Sequence, residues 1–316
     1  MQYKEICVLG GSGFVGSAIV TKLDAAGYNV KVLTRKRDDA KHLSLLPNVQ
    51  IIECNVFDYH ALTSALRGVG AVVNLLGILH QSSQLSFNAI HHQLPAQLVK
   101  ICSDMDICRL IHVSSLCANK NAPSQYLRSK GEGEAALLEY KDKLNITIFK
   151  PSVIFGRNDR FVNLFARLIK YLPIVMLAKP NARFQPVWVE DVASCVVLSI
   201  SNTLTYGETY DLVGPKIYTF KELITVIMKT LHMKRPIIGL NDTFSYMQAF
   251  LMELLPVKLM SRDNLHSMEI DSISANTFPK VFNIIPTSIE AVIPQYLVDQ
   301  TSRGAYDRFR RTAARQ

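Results

Sequence analysis

Tyr126 and Lys130 are the residues of this chain best suited to proton chemistry, because they stand four positions apart in one predicted helix, Ser124–Tyr140. Side chains separated by four residues lie on the same face of a helix. A lysine charge beside a phenol lowers the pKa of tyrosine toward neutral pH, which suits the phenol to general acid–base work. The spacing therefore places a phenol and an ammonium group side by side on one helix face.

A glycine-rich turn lies near the start of the chain, where the apolar run Ile6–Leu9 leads into Gly10, Gly13 and Gly16. Apolar residues then recur at helical spacing from Phe14 onward. Gly10 permits a tight strand-to-helix turn, Gly13 lets the backbone approach a pyrophosphate, and Gly16 lets the helix pack on the strand. The phosphates would lie on free N–H groups at the helix N-terminus. The predicted dinucleotide-binding residues of this turn are Gly10, Ser12, Gly13, Phe14, Val15 and Gly16.

The end of the second predicted strand, Asn29–Leu33, bears on which nucleotide binds. An NAD site places Asp or Glu there to accept hydrogen bonds from the ribose hydroxyls. This chain has Thr34 and Arg35 there, followed by further basic residues and no acid. A carboxylate would repel a 2′-phosphate, whereas an arginine binds it with two hydrogen bonds. The sequence favours NADP(H) over NAD(H), with Arg35 as a cofactor ligand; the alternative is a solvated basic loop.

Strand and helix patterns alternate through the first half of the chain. The predicted strands are Glu5–Leu9, Asn29–Leu33, Val49–Cys54, Ala71–Leu76, Arg109–Val113 and Ile146–Phe149. The predicted helices include Phe14–Ala26, Asp58–Leu66, Phe87–Ser103 and Ser124–Tyr140. This alternation predicts an α/β fold, a doubly wound parallel sheet of the Rossmann type, with ligands at the carboxyl ends of the strands.

The pattern becomes irregular after the sixth predicted strand, which indicates a smaller C-terminal lobe. With 316 residues, 48% of them hydrophobic, the chain is long enough for both parts. We assign residues 1–156 and about 185–214 to the dinucleotide-binding domain. Residues from about 157–184 and 215–302 form the substrate or partner lobe, and 303–316 form a basic tail.

The basic tail supplies +4 of the formal net charge of +9, since it holds five arginines and one aspartate. It is either a solvated end or a segment that contacts anionic lipid or a protein partner. Because much of the excess charge lies in this tail, and basic and aromatic residues are not interleaved, we expect no nucleic-acid partner.

Cysteine and histidine usage bears on compartment and on metals. The six cysteines show no CxxC pair, which favours a reducing compartment. His91 and His92 are adjacent in a predicted helix and point in different directions, so we expect no metal site. The chain begins directly with a strand and has no apolar run long enough to cross a bilayer. We expect a cytoplasmic protein, with peripheral attachment at the inner face of the membrane as the alternative.

The second half contains one conspicuous apolar segment, Phe244–Met260. It predicts a core helix of the smaller lobe, broken at Pro256. The alternative is a surface helix that contacts a membrane or a quinone-like ligand, because methionine-rich faces adapt to irregular partners.

Several sequence blocks identify a family. The blocks are Asn74–Gly77, His112–Ser114, Tyr126–Glu134, Lys150–Phe161 and Gln185–Val192. They resemble the atypical short-chain dehydrogenase/reductases, in the branch that contains the NADPH-binding accessory subunit of respiratory complex I and its bacterial relatives. The resemblance covers roughly residues 6–212 and returns at Pro286–Glu290.

The resemblance implies roles for the catalytic residues. Tyr126 would be the general acid or base, and Lys130 would hold the nicotinamide ribose. Active extended enzymes of this class follow two small residues at the end of the fifth strand with a serine or threonine that binds the substrate carbonyl. Alignment of the paired serines places Leu116 at that position, which predicts impaired hydride transfer. Ser115 takes the role if the turn is shifted by one residue.

The resemblance also implies further cofactor contacts. Asn55 and Val56 would lie beside adenine, where the family has an Asp-Val pair. Leu76 and Gly77 would line the phosphate and ribose path. The residues that would pack under the nicotinamide are Pro151 and Ile154.

Family membership implies tight cofactor binding with slow turnover, near quinone metabolism or the respiratory chain. The expected partners are NADPH, a quinone-like or other small substrate, and a membrane or respiratory complex. Whether the chain is an enzyme stays open at this point. The alternatives are a nucleotide-sugar epimerase or dehydratase, and a non-enzymatic assembly factor that holds NADPH structurally.

Overall fold

A computed structural model describes residues 3–82, 85–253 and 260–297 of the chain. The chain forms two compact units. The first comprises Met1–Pro151, Val189–Leu212 and Asn276–Ile284, and the second comprises Ser152–Trp188, Val213–Ala275 and Ile285–Gln316. The predicted tail, 303–316, lies outside the described residues.

The elements of the described residues follow the predicted alternation. The strands are β1 Glu5–Leu9, β2 Asn29–Thr34, β3 Val49–Glu53, β4 Ala71–Asn74, β5 Arg109–Val113, β6 Asn145–Pro151, β7 Ile154–Phe155, β8 Val175–Leu177, β9 Arg183–Phe184, β10 Val187–Trp188, β11 Thr209–Leu212, β12 Tyr218–Thr219 and β13 Ile237–Gly239. The α-helices are α1 Phe14–Ala25, α2 Tyr59–Ala65, α3 Leu94–Asp104, α4 Gln125–Leu138, α5 Phe161–Tyr171, α6 Val189–Ser199, α7 Phe220–Thr230, α8 Asp242–Glu253, α9 Arg262–Ser267 and α10 Ile289–Leu297. Short 3₁₀ turns span Arg37–Leu43, Thr203–Thr205 and Lys280–Phe282, and a π-helical turn spans Ala89–Gln93.

The first unit is built on a seven-stranded sheet in the order β11-β6-β5-β4-β1-β2-β3. Every pair in it is parallel, and Leu9 of β1 lies opposite Leu33 of β2 and Asn74 of β4. The predicted doubly wound parallel sheet is therefore confirmed. The strand order reverses at β1, and open sheets of this kind bind ligands beyond the carboxyl ends of the strands at such a reversal.

The central strands are buried on both faces, which explains their continuous apolar runs. Val8, Val73 and Ile111 are completely buried. Beyond the strands, the predicted helix Phe87–Ser103 differs from the structure, because the π-helical turn Ala89–Gln93 precedes α3.

The unit boundaries differ from the predicted domains at four places. Residues 152–156, 185–188 and 213–214 belong to the second unit, and 276–284 belong to the first. The last of these has a clear cause, because Phe282 packs its ring against Phe149 of β6 and Tyr210 of β11.

The second unit has its own apolar core, formed by α5, α7, α10 and short strand pairs. The Phe155–Phe161 block that marks the family shapes a turn here. The carboxylate of Asp159 accepts N–H bonds from Gly156 at 3.0 Å and Val162 at 2.6 Å, and the Tyr296 hydroxyl donates to it at 3.2 Å. Asp159 thereby ties the start of α5 to α10.

The apolar segment Phe244–Met260 is not the predicted core helix. Its described part is α8, on which Phe244, Met247 and Leu251 are each half exposed. Residues 254–259 lie outside the described residues. In the ranges that the structure describes, no helix combines the length and the apolar character needed to cross a bilayer.

One buried arginine joins several elements of the first unit. Arg109 is completely buried, and it donates to the carbonyls of Asn145, Ser199 and Ile200. It also donates to the hydroxyls of two buried threonines, Thr147 and Thr205. Burial lowers the pKa of its guanidinium to about 10. All of these acceptors would lose the same donor together if the arginine were removed.

We predict that Arg109→Met lowers the free energy of unfolding by about 3 kcal/mol or more, because each buried group left unsatisfied costs roughly 1–3 kcal/mol. Urea unfolding followed by circular dichroism measures the change. The control is Arg67→Met, at an exposed position, which should change stability by less than about 0.5 kcal/mol. Equal stability of the two variants would contradict the role of Arg109.

Candidate nucleotide-binding and catalytic site

The glycine turn after β1 brings backbone into direct contact with backbone. Gly10 has a φ of +80°, and the N–H of Gly13 donates to its carbonyl at 3.1 Å. A Cβ added at Gly16 would lie 2.1 Å from the oxygen of Gly10 and 2.6 Å from the Cα of Gly11. The first helix can therefore approach the strand end only with glycine at position 16.

The N-terminus of α1 suits an anion. Gly13 caps this helix without a side chain, and the first turn holds no acidic residue. The first N–H groups of a helix have no partner within it, so those of Phe14, Val15 and Gly16 are available to a phosphate. Ser12 lies half-buried beside them. The turn fits a pyrophosphate, as the sequence predicts.

The loop after β4 completes one side of this cradle. A Cβ at Gly10 would lie 3.2 Å from the carbonyl carbon of Leu75 and 3.3 Å from the side chain of Leu76. A Cβ at Gly77 would lie 3.2 Å from Nζ of Lys130. The glycine turn therefore lies against Leu76, and the next residue, Gly77, lies against Lys130.

The end of β2 presents an exposed cation. Arg35 is exposed and makes no hydrogen bond or ion pair to any residue that the structure describes. The hydroxyl of Thr34 donates to the carbonyl of Lys36 at 2.9 Å, which fixes the turn. The nearby Asp38 is paired with Lys41 at 3.0 Å.

Just after β3, Asn55 holds the local turn through hydrogen bonds to the backbone. The side-chain oxygen of Asn55 accepts the N–H of Phe57 at 3.2 Å, and its carbonyl accepts that of Asp58. Val56 is buried in the core of the first unit. Their placement beside adenine stays a prediction.

The helix α4 places Tyr126 and Lys130 beside the end of β5. The Ser124 hydroxyl caps this helix by accepting the N–H of Leu127 at 3.1 Å. Tyr126 follows directly, and its hydroxyl is hydrogen-bonded to that of Ser115. Lys130 is buried one turn later and donates to the carbonyl of Val113 at 3.3 Å.

The hydroxyl in contact with the tyrosine is therefore that of Ser115. Leu116 is buried, and its N–H donates to the carbonyl of Pro151 at 3.0 Å, next to the β5–β6 pairing. That backbone bond fixes the turn so that Ser115, one residue earlier, reaches Tyr126. The position that alignment of the paired serines gave to Leu116 is thus taken by Ser115 in the structure.

Burial changes the acid–base properties of the pair. Desolvation lowers the pKa of Lys130 to about 8, although the negative charge of Glu134 opposes the shift. Burial raises the pKa of Tyr126, contrary to the lowering expected from a neighbouring lysine charge, and the hydrogen bond from Ser115 only partly opposes this. Near neutral pH the tyrosine keeps its proton and can donate it, while most of the lysine is charged.

His91 is the site neighbour that the sequence reasoning missed. It is completely buried; its Nε2 accepts the N–H of Ile78 at 3.0 Å, and its Nδ1 bonds to the Ser129 hydroxyl at 2.9 Å. That hydroxyl donates to the carbonyl of Tyr126, so Nδ1 of His91 is the donor. The imidazole lies 5.3 Å from the Tyr126 ring, edge to face.

Burial and the charge of Lys130 lower the pKa of His91 to about 2, so the ring is neutral. It joins the loop after β4 to α4 through two directed hydrogen bonds. The π-helical turn Ala89–Gln93 places it there, and neither hydrophobic periodicity nor residue type signals such a turn. These bonds hold the His91 ring beside Tyr126. In the described ranges, no group of three or more His, Cys, Asp or Glu could hold a metal ion.

Pro151 ends β6 in the first unit, and Ile154 belongs to β7 in the second. Their packing under a nicotinamide stays a prediction, as do the chemical roles assigned to the other site residues.

Comparison with known proteins identifies the family. The model of the NAD dependent epimerase/dehydratase family matches residues 6–212, about two thirds of the chain. The chain belongs to this family. The match runs from β1 to β11 and so spans the central sheet and every residue of the site described above.

Within the family, the chain is similar to subunits of respiratory complex I. It is 30% identical over 229 residues to NADH dehydrogenase [ubiquinone] 1 alpha subcomplex subunit 9, mitochondrial, of Arabidopsis thaliana. That match covers 70% of this chain and 56% of the plant protein, so the chain spans little more than half of that relative. The Dictyostelium discoideum protein of the same name is 25% identical over 292 residues, 90% of this chain and 81% of that one. The predicted branch is confirmed.

Solved structures support the fold. A dTDP-glucose 4,6-dehydratase from Streptomyces venezuelae with NAD bound superposes with a TM-score of 0.75 at 19% identity. The alignment covers 95% of this chain and 98% of that one. At this identity the likeness shows the fold alone.

We predict that affinity for a nicotinamide dinucleotide falls by up to about tenfold per pH unit above pH 8, because deprotonated Lys130 loses its charge-assisted hydrogen bond. Fluorescence titration of the reduced dinucleotide at a series of pH values measures this. Lys130→Met should bind weakly with no such step, whereas Lys120→Met, at an exposed position, should keep the wild-type profile. A step of equal size in Lys130→Met would contradict the assignment.

Proposed function

We propose that the chain is a slow NADPH-dependent reductase of a quinone-like carbonyl compound. The observation that carries this is the hydrogen bond between Ser115 and Tyr126, one helical turn from Lys130. Lys130 in turn adjoins Gly77, which leads to the glycine turn. The glycine turn, which suits phosphate, therefore continues through Lys130 to the hydroxyls of Tyr126 and Ser115 in the first unit.

Each residue has a defined task. A bound nicotinamide would supply the hydride. Tyr126, whose raised pKa keeps it protonated, donates its proton to the oxygen of the substrate. Ser115 donates a hydrogen bond that orients the same oxygen and shares its developing charge. Lys130 bonds the ribose while it is charged.

The same environment limits the rate. The pKa of about 8 leaves part of the Lys130 population uncharged near neutral pH, and Nζ is already bonded to the carbonyl of Val113. Burial also makes ionised Tyr126 costly to form, and because proton donation to the substrate leaves the tyrosine ionised, the reduction is slowed. These features favour slow turnover.

Preference for NADP(H) follows from Arg35. The cation is exposed at the end of β2, where no acidic residue accepts bonds from a ribose, and it has no partner among the described residues. A 2′-phosphate supplies two charges and several acceptors at this point. Binding of NADPH would thus give Arg35 the partner that it lacks.

A second candidate is a non-enzymatic accessory or assembly protein with structural NADPH. Its support is the similarity to proteins named as complex I subunits. It would act through contact with a respiratory complex or with the membrane beside it, at the inner face if the chain is cytoplasmic. The sugar-nucleotide dehydratase resembles this chain in fold alone, so it supports no sugar substrate.

We predict that Arg35→Ala weakens NADPH binding by about 1.5–3 kcal/mol, the range for a hydrogen bond to a charged group, and leaves NADH binding unchanged. Isothermal titration calorimetry measures both affinities. The matched control is Lys36→Ala, at the next exposed position, which should lose less than about 0.5 kcal/mol for either nucleotide. Equal losses for NADPH and NADH in Arg35→Ala would refute the preference.

We predict that Tyr126→Phe and Ser115→Ala each slow NADPH oxidation by a short-chain quinone by about a hundredfold or more, since each removes a donor to the reacting oxygen. NADPH affinity should stay within about twofold, because the glycine turn and Lys130 remain. Tyr59→Phe, on the exposed face of α2, is the control and should behave as wild type. Single-turnover absorbance measurements give the rates.

Two results would refute this reading. One is wild-type turnover that survives Tyr126→Phe. The other is rapid conversion of a nucleotide sugar that this substitution abolishes. If no quinone or simple carbonyl is reduced while NADPH binds tightly, the accessory-protein candidate replaces the reductase.

A further inference from the structure

Helix α8 of the second unit turns its large apolar side chains away from the core of that unit. Its fully buried residues are Ser245 and Ala249, one turn apart. The large side chains of Phe244, Met247 and Leu251 are 53%, 50% and 56% exposed. An ordinary surface helix turns its large apolar residues toward the core. Here small residues contact the unit, and the large ones face outward.

The exposed surface continues onto the β8–β13 strand pair. Met176 lies opposite Ile238 in the parallel register, and both are exposed. The side chain of Gln248 donates to the carbonyl of Met176 at 3.3 Å, which joins α8 to β8. Tyr171, at the end of α5 just before β8, is 82% exposed. We call these residues the apolar face: Tyr171, Met176, Ile238, Phe244, Met247 and Leu251.

Positive charge accompanies the apolar face. Among the described residues of the second unit, 12 are basic and 8 are acidic, which gives this part of the unit a net charge of +4. The acidic residues of α8 are both neutralised, because Asp242 pairs with Lys179 at 2.7 Å and Glu253 pairs with Arg262 at 2.9 Å. By contrast, Lys229, Lys234 and Arg235 form no ion pair with any described carboxylate, so their positive charge is left next to the face.

A surface pocket of about 500 Å³ lies at the start of β13. Its lining combines apolar groups, among them Met228 and Met233, with the cations Lys229, Lys234 and Arg235. It also includes Ile237, the neighbour of Ile238 in the apolar face. Apolar walls with several cations suit an anionic headgroup and the first part of an acyl chain.

We propose that the apolar face docks on an anionic lipid surface, with the cations around the pocket at the headgroups. The helix α8 would lie in the interface, as amphipathic helices do. Tyr171 suits the same depth, because its ring is apolar and its hydroxyl polar. The flexible lysine stems can reach the headgroups while their apolar parts stay in contact with the protein.

A protein partner is less well supported. Protein interfaces carry roughly one hydrogen bond per 100–200 Å². The apolar face consists of six large side chains, of which Tyr171 alone bears a polar group. This contact is the membrane attachment named for the accessory-protein candidate, and it does not depend on nucleotide binding.

The test is flotation of the full chain with vesicles of phosphatidylcholine, alone or mixed with phosphatidylglycerol. We expect binding to the anionic vesicles, weakened by salt. The combined variant Phe244→Ser, Met247→Ser and Leu251→Ser should bind about tenfold more weakly or worse, because it removes exposed apolar area from the contact. Since these side chains are half exposed, the variant should keep its thermal unfolding midpoint.

A second variant tests the role of the cations. It combines Lys229→Gln with Lys234→Gln and should weaken binding to anionic vesicles by about tenfold. Two matched controls lie on the first unit, and both should bind as wild type. They are Leu45→Ser with Leu204→Ser, at exposed leucines, and Lys120→Gln with Lys141→Gln, at exposed lysines.

Absence of wild-type binding to anionic vesicles, or undiminished binding of the folded triple-serine variant, would overturn the proposal. It would also be overturned if sedimentation velocity showed a self-association that this variant loses, with no lipid binding. NADPH affinity is measured on the same proteins and should not change. A wild type that floats with vesicles but binds no NADPH would refute the reductase and would still support lipid binding by the apolar face.

Discussion

Close approach of backbone to backbone at two glycines is the constraint on which this site depends. At Gly16 the backbone of α1 touches the turn after β1, and at Gly133 that of α4 touches the π-helical turn, where a Cβ would lie 1.9 Å from the carbonyl oxygen of His91. Any side chain at either position would push a helix outward. The first contact places the N–H groups that suit phosphate, and the second places Tyr126 and Lys130.

Burial then determines what those residues can do. Lys130 is nearly inaccessible and bonded to a single backbone carbonyl, so burial weakens its charged form, and the negative charge of Glu134 only partly offsets this. The neutral ring of His91 fills the space beside Tyr126 without competing for protons. An environment of this kind disfavours rapid proton exchange.

The sequence predicted the sheet, because buried parallel strands give long apolar runs and glycines mark the first turn. The sequence alone does not show whether Ser115 or Leu116 occupies the position next to Tyr126, because a shift of one residue in a turn leaves the residue pattern unchanged. Sequence patterns do not place His91 in the site, because a π-helical turn changes which way a side chain points without changing the residue pattern. The sequence also favoured a core position for α8, since periodicity shows that a helix has an apolar side but not that Ser245 and Ala249 are the residues turned inward.

The central claim is that the first unit holds NADP(H) in its resting state. Native mass spectrometry of the chain, purified without added nucleotide and then supplied with equal amounts of NADPH and NADH, tests it directly. The account predicts one NADP(H) per chain, either retained from the cell or selected from the mixture. Selection of NADH, or a chain that stays free of both nucleotides, would contradict it.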